Sequence, residues 1–144
     1  MLHASKRLGQ HFLVSRPVLR KIVAAADLQP SDTVLEIGPG LGALTTALAR
    51  RAERVIAVEK DAHLPNMLEP RLERAGITNV TLITGDILKI PLSDLNLPDP
   101  YRVVANIPYY LTSRLLRRFL ESNPPPASML LMVQREVAER IAAR

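Results

Sequence analysis

Apolar residues recur along the chain in two alternating patterns. Short runs rich in β-branched residues predict five strands, at residues 33–37, 55–58, 79–84, 102–105 and 128–133. Apolar positions three and four residues apart predict five helices, at residues 15–28, 43–51, 61–75, 112–121 and 136–143. Strands that alternate with helices are typical of a mostly parallel sheet with helices on both faces, so we predict an α/β fold.

Local signals define the ends of several elements. Ser15 is a suitable N-cap for the first helix, and Thr112 or Ser113 is expected to cap a later one. Prolines inside residues 61–75 must bend or shorten that helix. Residues 90–100 hold three prolines and have no hydrophobic period, so they are predicted to be a loop.

A glycine-rich segment, residues 36–42 (EIGPGLG), lies between the first strand and the helix that follows. Glycine has no Cβ, so a ligand can rest directly on the backbone and on the helix N-terminus. We therefore expect a nucleotide-like ligand here, with Gly38 at the end of the strand. With Ala43 as the last small residue and Glu59 downstream, the pattern also fits a dinucleotide (NAD) fingerprint, and that alternative stays open.

Acidic residues follow the next two strands. Glu59 ends the second strand and Asp86 comes just after the third. In open α/β sheets ligands bind at these strand ends, where one carboxylate can accept ribose hydroxyls and the next an adenine amine. Each acid alone is more often a cap or turn residue, but together with the glycines they predict an adenosine-shaped site.

The fourth strand is followed by the sequence NIPY, which runs from Asn106 to Tyr109. The exocyclic nitrogen of adenine is a poor nucleophile. The Asn106 side-chain oxygen and the Ile107 carbonyl are two acceptors that could stabilise this amine as positive charge develops, and Tyr109 could stack on the base. The alternative is an Asn-Pro type turn with a core tyrosine.

Composition narrows the class of protein. The chain has 144 residues, which fits one domain, and it has no cysteine for disulfides or thiolate metal sites. No apolar run approaches the roughly 20 residues of a membrane helix, and residues 1–16 lack the apolar stretch of a signal peptide. We expect a cytoplasmic protein without membrane contact. His3 and His63 lack partners at metal-ligand spacing, so no metal site is predicted.

The net charge is +5, and the basic residues are clustered. One cluster precedes the first acid, Asp27, and contains Lys6, Arg7, Arg16, Arg20 and Lys21. The second cluster follows NIPY and contains Arg114, Arg117 and Arg118. Such patches attract nucleic-acid phosphates, although a solvated helix face has the same charge pattern.

Four ordered motifs together resemble the ribosomal RNA adenine dimethyltransferases that act on small-subunit RNA. They are GQHFL at residues 9–13, EIGPGLGALT at 36–45, VEKD at 58–61 with GDIL at 85–88, and NIPYYLTS at 106–113. The resemblance implies a Rossmann-like class I methyltransferase, with S-adenosylmethionine as methyl donor and two adjacent loop adenosines as acceptors, each methylated twice. His11 stands where many members have asparagine.

The resemblance also implies roles for individual residues. Asn106 and Tyr109 would be catalytic, because they would hold the target base. The residues expected to bind the cofactor are His11, Leu13, Gly38, Glu59, Asp86 and Asn106. The expected partner is small-subunit ribosomal RNA or an assembling small subunit, bound by a monomer with a role in ribosome biogenesis.

The family continues beyond the point where this sequence stops. Its members add two more strands and a helical domain, so residues 1–144 are expected to be an incomplete methyltransferase domain that ends after the fifth strand. Three alternatives remain open. They are a large-subunit RNA methyltransferase of the macrolide-resistance type, a non-catalytic RNA-binding or assembly module, and an NAD-binding domain.

Overall fold

The structure, a computed structural model, describes residues 15–132 and 135–143, with the backbone alone for Tyr109 and residues 135–137. Five apolar segments form one sheet in the order β3-β2-β1-β4-β5, and all four described pairings are parallel. The strands are β1 Thr33–Ile37, β2 Arg54–Glu59, β3 Val80–Thr84, β4 Arg102–Asn106 and β5 Ser128–Met132. This confirms the predicted α/β class and the position of each strand.

Helices connect the strands and lie on both faces of the sheet. They are α1 Arg16–Ala26, α2 Ala43–Ala49, α3 Leu64–Arg74, α4 Thr112–Leu120 and α5 Arg135–Ala142, with 3₁₀ turns at Leu92–Leu95 and Tyr109–Leu111. None of the helices in the described ranges is long and apolar enough to cross a membrane.

Two core layers follow from the alternation of side chains along β1. Leu35 and Ile37 face a layer that includes Leu115 and Phe119 of α4. Val34 faces the opposite layer, which contains the buried residues of α1 and α2. Burial of a side chain of this size contributes about 1.5–3 kcal/mol, so both faces of the sheet need a covering helix.

The helix ends differ in part from the sequence prediction. Ser15 does cap α1, since its hydroxyl accepts the Val18 N–H at 3.5 Å. Neither Thr112 nor Ser113 is a cap; α4 begins at Thr112, and its N-cap is Leu111, which makes no side-chain hydrogen bond. The Thr112 side chain is instead buried in the packed interior, at 1% exposure. The predicted loop at residues 90–100 contains a short 3₁₀ turn.

The order of the strands creates a crevice beside β1. The chain runs from β1 outward to β2 and β3, and then returns to place β4 on the other side of β1. In open α/β sheets the crevice at such a switch point, outside the carboxyl ends of the strands, is where ligands bind.

Candidate functional site

Four of the predicted site residues meet at the carboxyl edge of the sheet. Strand register places Gly38, Glu59 and Asn106 side by side, because β1 pairs with β2 on one side and with β4 on the other. Asp86 lies two residues past Thr84, the last residue of β3 and the register partner of Glu59. The structure therefore brings together residues that are up to 68 positions apart in sequence.

The glycine loop leaves β1 with its first residue against β4. Gly38 has a φ of 75°, and a Cβ at this position would lie 3.0 Å from the Asn106 carbonyl oxygen. Its N–H donates to the Val58 carbonyl at 3.0 Å, which fixes the loop on β2 as well. At the end of the loop, Gly42 has a φ of 88° and leaves no room for a Cβ beside Leu68 of α3. The positive φ and the close neighbour at each end of the loop both favour glycine.

Glu59 is buried, at 1% exposure, and holds two loops together. One carboxylate oxygen accepts the Gly40 N–H at 3.2 Å and the other accepts the Asp61 N–H at 3.0 Å. These bonds orient the carboxylate beside the glycine loop. A ligand hydroxyl that reaches Glu59 has to share it with these two amides.

Glu36 is a second buried acid, which the sequence analysis did not single out. It is 1% exposed, and the Thr45 hydroxyl of α2 donates to its carboxylate at 2.6 Å. Burial raises the pKa of Glu36 to about 7; the hydrogen bond from Thr45 opposes this rise and the charge of Glu59 adds to it. The available signal was a charged residue inside an otherwise apolar strand, TVLEI.

Asp86 begins a tight turn. Its carboxylate accepts the Leu88 N–H at 2.9 Å, and its backbone carbonyl accepts the N–H groups of Lys89 and Ile90 at 2.8 and 2.9 Å. The Lys60 ammonium lies 3.8 Å from the other carboxylate oxygen and is itself well exposed. Asp86 is therefore a turn residue as well as a residue of the strand edge.

The NIPY motif turns sharply away from β4. Ile107 and Pro108 are buried, and the Pro108 carbonyl accepts the Leu111 N–H at 3.0 Å, which closes the 3₁₀ turn. Asn106 is half-buried at the strand end. The predicted stacking of Tyr109 concerns a side chain outside the described part of the structure, and His11 and Leu13 also lie outside the described residues.

The basic cluster on α4 is divided by the fold. Arg114 and Arg117 are exposed, whereas Arg118 is half-buried and donates to backbone carbonyls. Arg118 is therefore directed at the protein backbone, and Arg114 and Arg117 are the exposed basic residues of this helix. Over residues 15–132 and 135–143, no group of three or more histidine, cysteine or acidic residues could hold a metal ion.

This arrangement fits an adenosine-type ligand. Gly38 lets the loop leave β1 close against the backbone of β4, which keeps the glycine loop at the strand edge, and acids lie at the next two strand ends. The backbone carbonyl of Asn106 adjoins Gly38 from the β4 side, so the end of β4 lies next to the glycine loop.

Comparison with known sequences places these features in a family. The family model described as "Ribosomal RNA adenine dimethylase" matches residues 1–144. A ribosomal RNA small subunit methyltransferase A of Dehalococcoides mccartyi is 55% identical over 99% of this chain, and one of Alkaliphilus metalliredigens is 44% identical over 96%. The chain spans about half the length of both relatives, 49% of each.

Two solved structures with 34% sequence identity to this chain share its fold. A dimethyladenosine transferase of Plasmodium falciparum superposes with a TM-score of 0.83 at 34% identity, over 93% of this chain and 47% of that one. The 23S rRNA methyltransferase ErmE gives a TM-score of 0.77, also at 34% identity, over 90% of this chain and 50% of that one. Both support the Rossmann-like methyltransferase fold.

Proposed function

This chain belongs to the ribosomal RNA adenine dimethylase family, and from that premise we propose that it methylates small-subunit ribosomal RNA. The methyl donor is S-adenosylmethionine and the acceptors are the exocyclic amines of two adjacent adenosines in a hairpin loop, each methylated twice. Residues 1–144 then form part of the methyltransferase domain of a protein that acts in the cytoplasm during ribosome biogenesis, on RNA or on an assembling subunit.

The observation that carries this proposal is the contact between the glycine loop and the NIPY motif. Gly38 and Asn106 approach so closely that a Cβ on the glycine would lie 3.0 Å from the backbone carbonyl oxygen of Asn106. Direct transfer needs the donor and the acceptor amine side by side in the right geometry. The contact supports this proposal because it puts the strand end that carries the acceptor motif next to the glycine loop proposed to hold the donor.

The cofactor residues have separate tasks in this proposal. Glu59 accepts hydrogen bonds from the ribose hydroxyls, Asp86 accepts one from the adenine amine, and Gly38 lets the ligand rest on the backbone. His11 and Leu13 cover the methionine end. When bound, S-adenosylmethionine supplies an electrophilic methyl group on a sulfonium, so the protein's main contribution is position and charge stabilisation.

The acceptor residues act on the target adenine. The Asn106 side-chain oxygen and the Ile107 carbonyl accept the two amine hydrogens, which favours a pyramidal nitrogen as positive charge develops. Tyr109 stacks on the base and holds it in place. A loop adenosine is unpaired, so placing it in this pocket costs little unstacking energy.

The first test is calorimetric titration with S-adenosylhomocysteine, with NADH as control ligand. We expect binding of the first and not of the second. Methyl transfer from labelled S-adenosylmethionine to immature small subunits should then give dimethyladenosine, detected by mass spectrometry of the RNA. Binding of NADH alone would show an NAD-binding domain, and RNA binding without turnover would show a non-catalytic assembly module.

A second candidate is methylation of large-subunit RNA. It is favoured by the similarity to ErmE, whose identity to this chain, 34%, equals that of the dimethyladenosine transferase. The same assay on large-subunit RNA separates the two candidates, because the modified nucleotide is located on one RNA or the other.

A further inference from the structure

Arg118 differs from the other two arginines of α4. Arg114 and Arg117 are exposed on the helix surface, but Arg118 is half-buried and turned toward the segment that follows β3. Its Nε is buried without a hydrogen-bond partner among the described residues. Burying a guanidinium costs free energy unless its other N–H groups are hydrogen-bonded, so Nη1 and Nη2 need acceptors.

Those acceptors are backbone carbonyls. Arg118 Nη1 donates to the Leu88 carbonyl at 3.1 Å, and Nη2 donates to the Ile90 carbonyl. The guanidinium presents its donors as a rigid planar fork, which suits two acceptors at a fixed spacing. A lysine at this position would offer a single ammonium nitrogen, which bonds two separate carbonyls less well than the two nitrogens of a guanidinium.

The clamped segment is the turn that Asp86 begins. The carboxylate and carbonyl of Asp86 accept the N–H groups on one side of the turn, from Leu88, Lys89 and Ile90. Arg118 holds the carbonyls of Leu88 and Ile90 on the other side. Three N–H groups of the turn are thus bonded by Asp86 and two of its carbonyls are bonded by Arg118, which fixes the turn relative to α4.

We propose that Arg118 is a positioning residue that holds the turn at residues 86–90, and with it the Asp86 carboxylate, from the helix that follows the NIPY motif. The ligand role given to Asp86 rests on the proposed function. The clamp joins the two halves of the site, because α4 directly follows the motif for the target base and the turn carries the acid for the cofactor's adenine. Arg118 acts through this turn and does not touch the ligand.

The test uses three variants in the full chain. Arg118→Ala removes both contacts, and Arg118→Lys keeps the charge with one donor nitrogen. Arg117→Ala is the matched control, since it removes the same charge from the exposed face of the same helix. Two readouts are needed: hydrogen exchange of the Leu88, Lys89 and Ile90 amides without ligand, and affinity for S-adenosylhomocysteine relative to its inosine analogue, in which a carbonyl replaces the amine.

We expect faster exchange of these amides in Arg118→Ala by about 10-fold, as for loss of one or two hydrogen bonds, with unchanged exchange in the core strands. The preference of the wild type for the adenine ligand over the inosine analogue should fall toward one, with Arg118→Lys between the two. Unfolding of part of the sample lowers both affinities equally and leaves this ratio unchanged. Arg117→Ala should leave exchange and preference at wild-type values.

An unchanged ratio and unchanged exchange in Arg118→Ala would overturn the proposal. If Arg118→Ala does not fold, a wild-type ratio in Arg118→Lys overturns it and a reduced ratio supports it. If the wild-type chain binds no S-adenosylhomocysteine, the proposed function fails, and the exchange experiment still decides whether Arg118 clamps the turn. The two ideas can therefore fail separately.

Discussion

Two pairs of polar side chains, at opposite edges of the same sheet, have opposite hydrogen-bonding roles. At the amino edge, Asn79 and Arg102 are donors to backbone carbonyls at or just past the ends of helices. At the carboxyl edge, Glu59 and Asp86 are acceptors from backbone N–H groups of the loops that leave the strands. Asp32 at the amino edge, which accepts the Gln29 N–H, and Arg118 at the carboxyl edge, which donates to two carbonyls, depart from this division.

Chain direction explains this difference. In a parallel sheet the connecting helices run opposite to the strands, so helix C-termini with their unpaired carbonyls lie at the amino edge and helix N-termini at the carboxyl edge. Donors are needed to finish the fold at the amino edge. Acids at the carboxyl edge face amides and can also face a ligand. Substitutions at the two edges should therefore separate stability from binding.

The largest effect is expected at the carboxyl edge. Asn106→Ala removes an acceptor for the target amine and should lower methyl transfer at least about 100- to 1000-fold, as for loss of one charge-stabilising group. Affinity for S-adenosylhomocysteine should stay within a few fold. Single-turnover transfer and calorimetry measure the two quantities, and Asn66→Ala, on the exposed surface of α3, is the control. Retained methylation of small subunits would contradict the role given to Asn106.

The next effect concerns the buried acid beneath the glycine loop. Burial raises the pKa of Glu36 from 4.5 to about 7, so between these pH values the folded state keeps a proton that the unfolded state has lost. Stability therefore falls as pH rises through this window, by about 3 kcal/mol for a shift of this size, and stays at the lower level above pH 7.

Glu36→Gln should remove this pH dependence while keeping an acceptor for the Thr45 hydroxyl. Urea unfolding at pH 5 and at pH 8 measures the difference between variant and wild type at each pH, so a constant cost of burying the new amide cancels. Glu69→Gln, exposed on α3, is the control. Parallel pH profiles for Glu36→Gln and wild type would mean that Glu36 is ionised in the folded protein at pH 5.

The strand ends, and with them the edge on which the site lies, could be predicted from sequence. Apolar runs end at Ile37, Glu59, Thr84 and Asn106, give or take a residue, and parallel strands align such ends. Each strand is marked by its own run of apolar residues. Because the strands are parallel and in register, the end of each run also marks the same edge of the sheet. This is why the glycine loop, the acids and NIPY could be assigned to one edge before their geometry was known.

What sequence could not provide is how distant polar groups are satisfied. Thr112 resembles a cap by residue type, yet it is buried within the first turn of α4. Arg118 resembles its exposed neighbours in the sequence, yet its partners lie 28 and 30 residues away. Both outcomes depend on which element packs against the helix, and helical spacing does not contain that information.

A smaller effect, confined to stability, is expected at the amino edge. The Asn79 amide donates to the carbonyls of Ala49, Ala52 and Glu53 at 2.8, 3.1 and 3.2 Å. Asn79→Ala should lower the free energy of unfolding by about 2 kcal/mol, because the part-buried carbonyls of Ala49 and Ala52 lose their donor. Asn79→Asp should cost more, since a carboxylate would face three carbonyls. Affinity for S-adenosylhomocysteine, measured well below the melting temperature, should not change; a weaker affinity would break the separation of the two edges.

The smallest effect tests an ion pair at the same edge. Arg102 Nε lies 3.1 Å from the Asp32 carboxylate, and the Asp32 side chain also accepts the Gln29 N–H at 2.7 Å. Asp32→Asn keeps an acceptor for that N–H and removes the charge, so we expect a loss of about 0.5–1 kcal/mol in urea unfolding. Because salt screens such pairs, the loss should shrink in 1 M NaCl, where the Debye length is about 3 Å.

A double-mutant cycle with Arg102→Gln isolates the pair from other contacts of either side chain. If Asp32→Asn instead weakened binding of S-adenosylhomocysteine while leaving stability intact, the amino edge would have to be counted as part of the site.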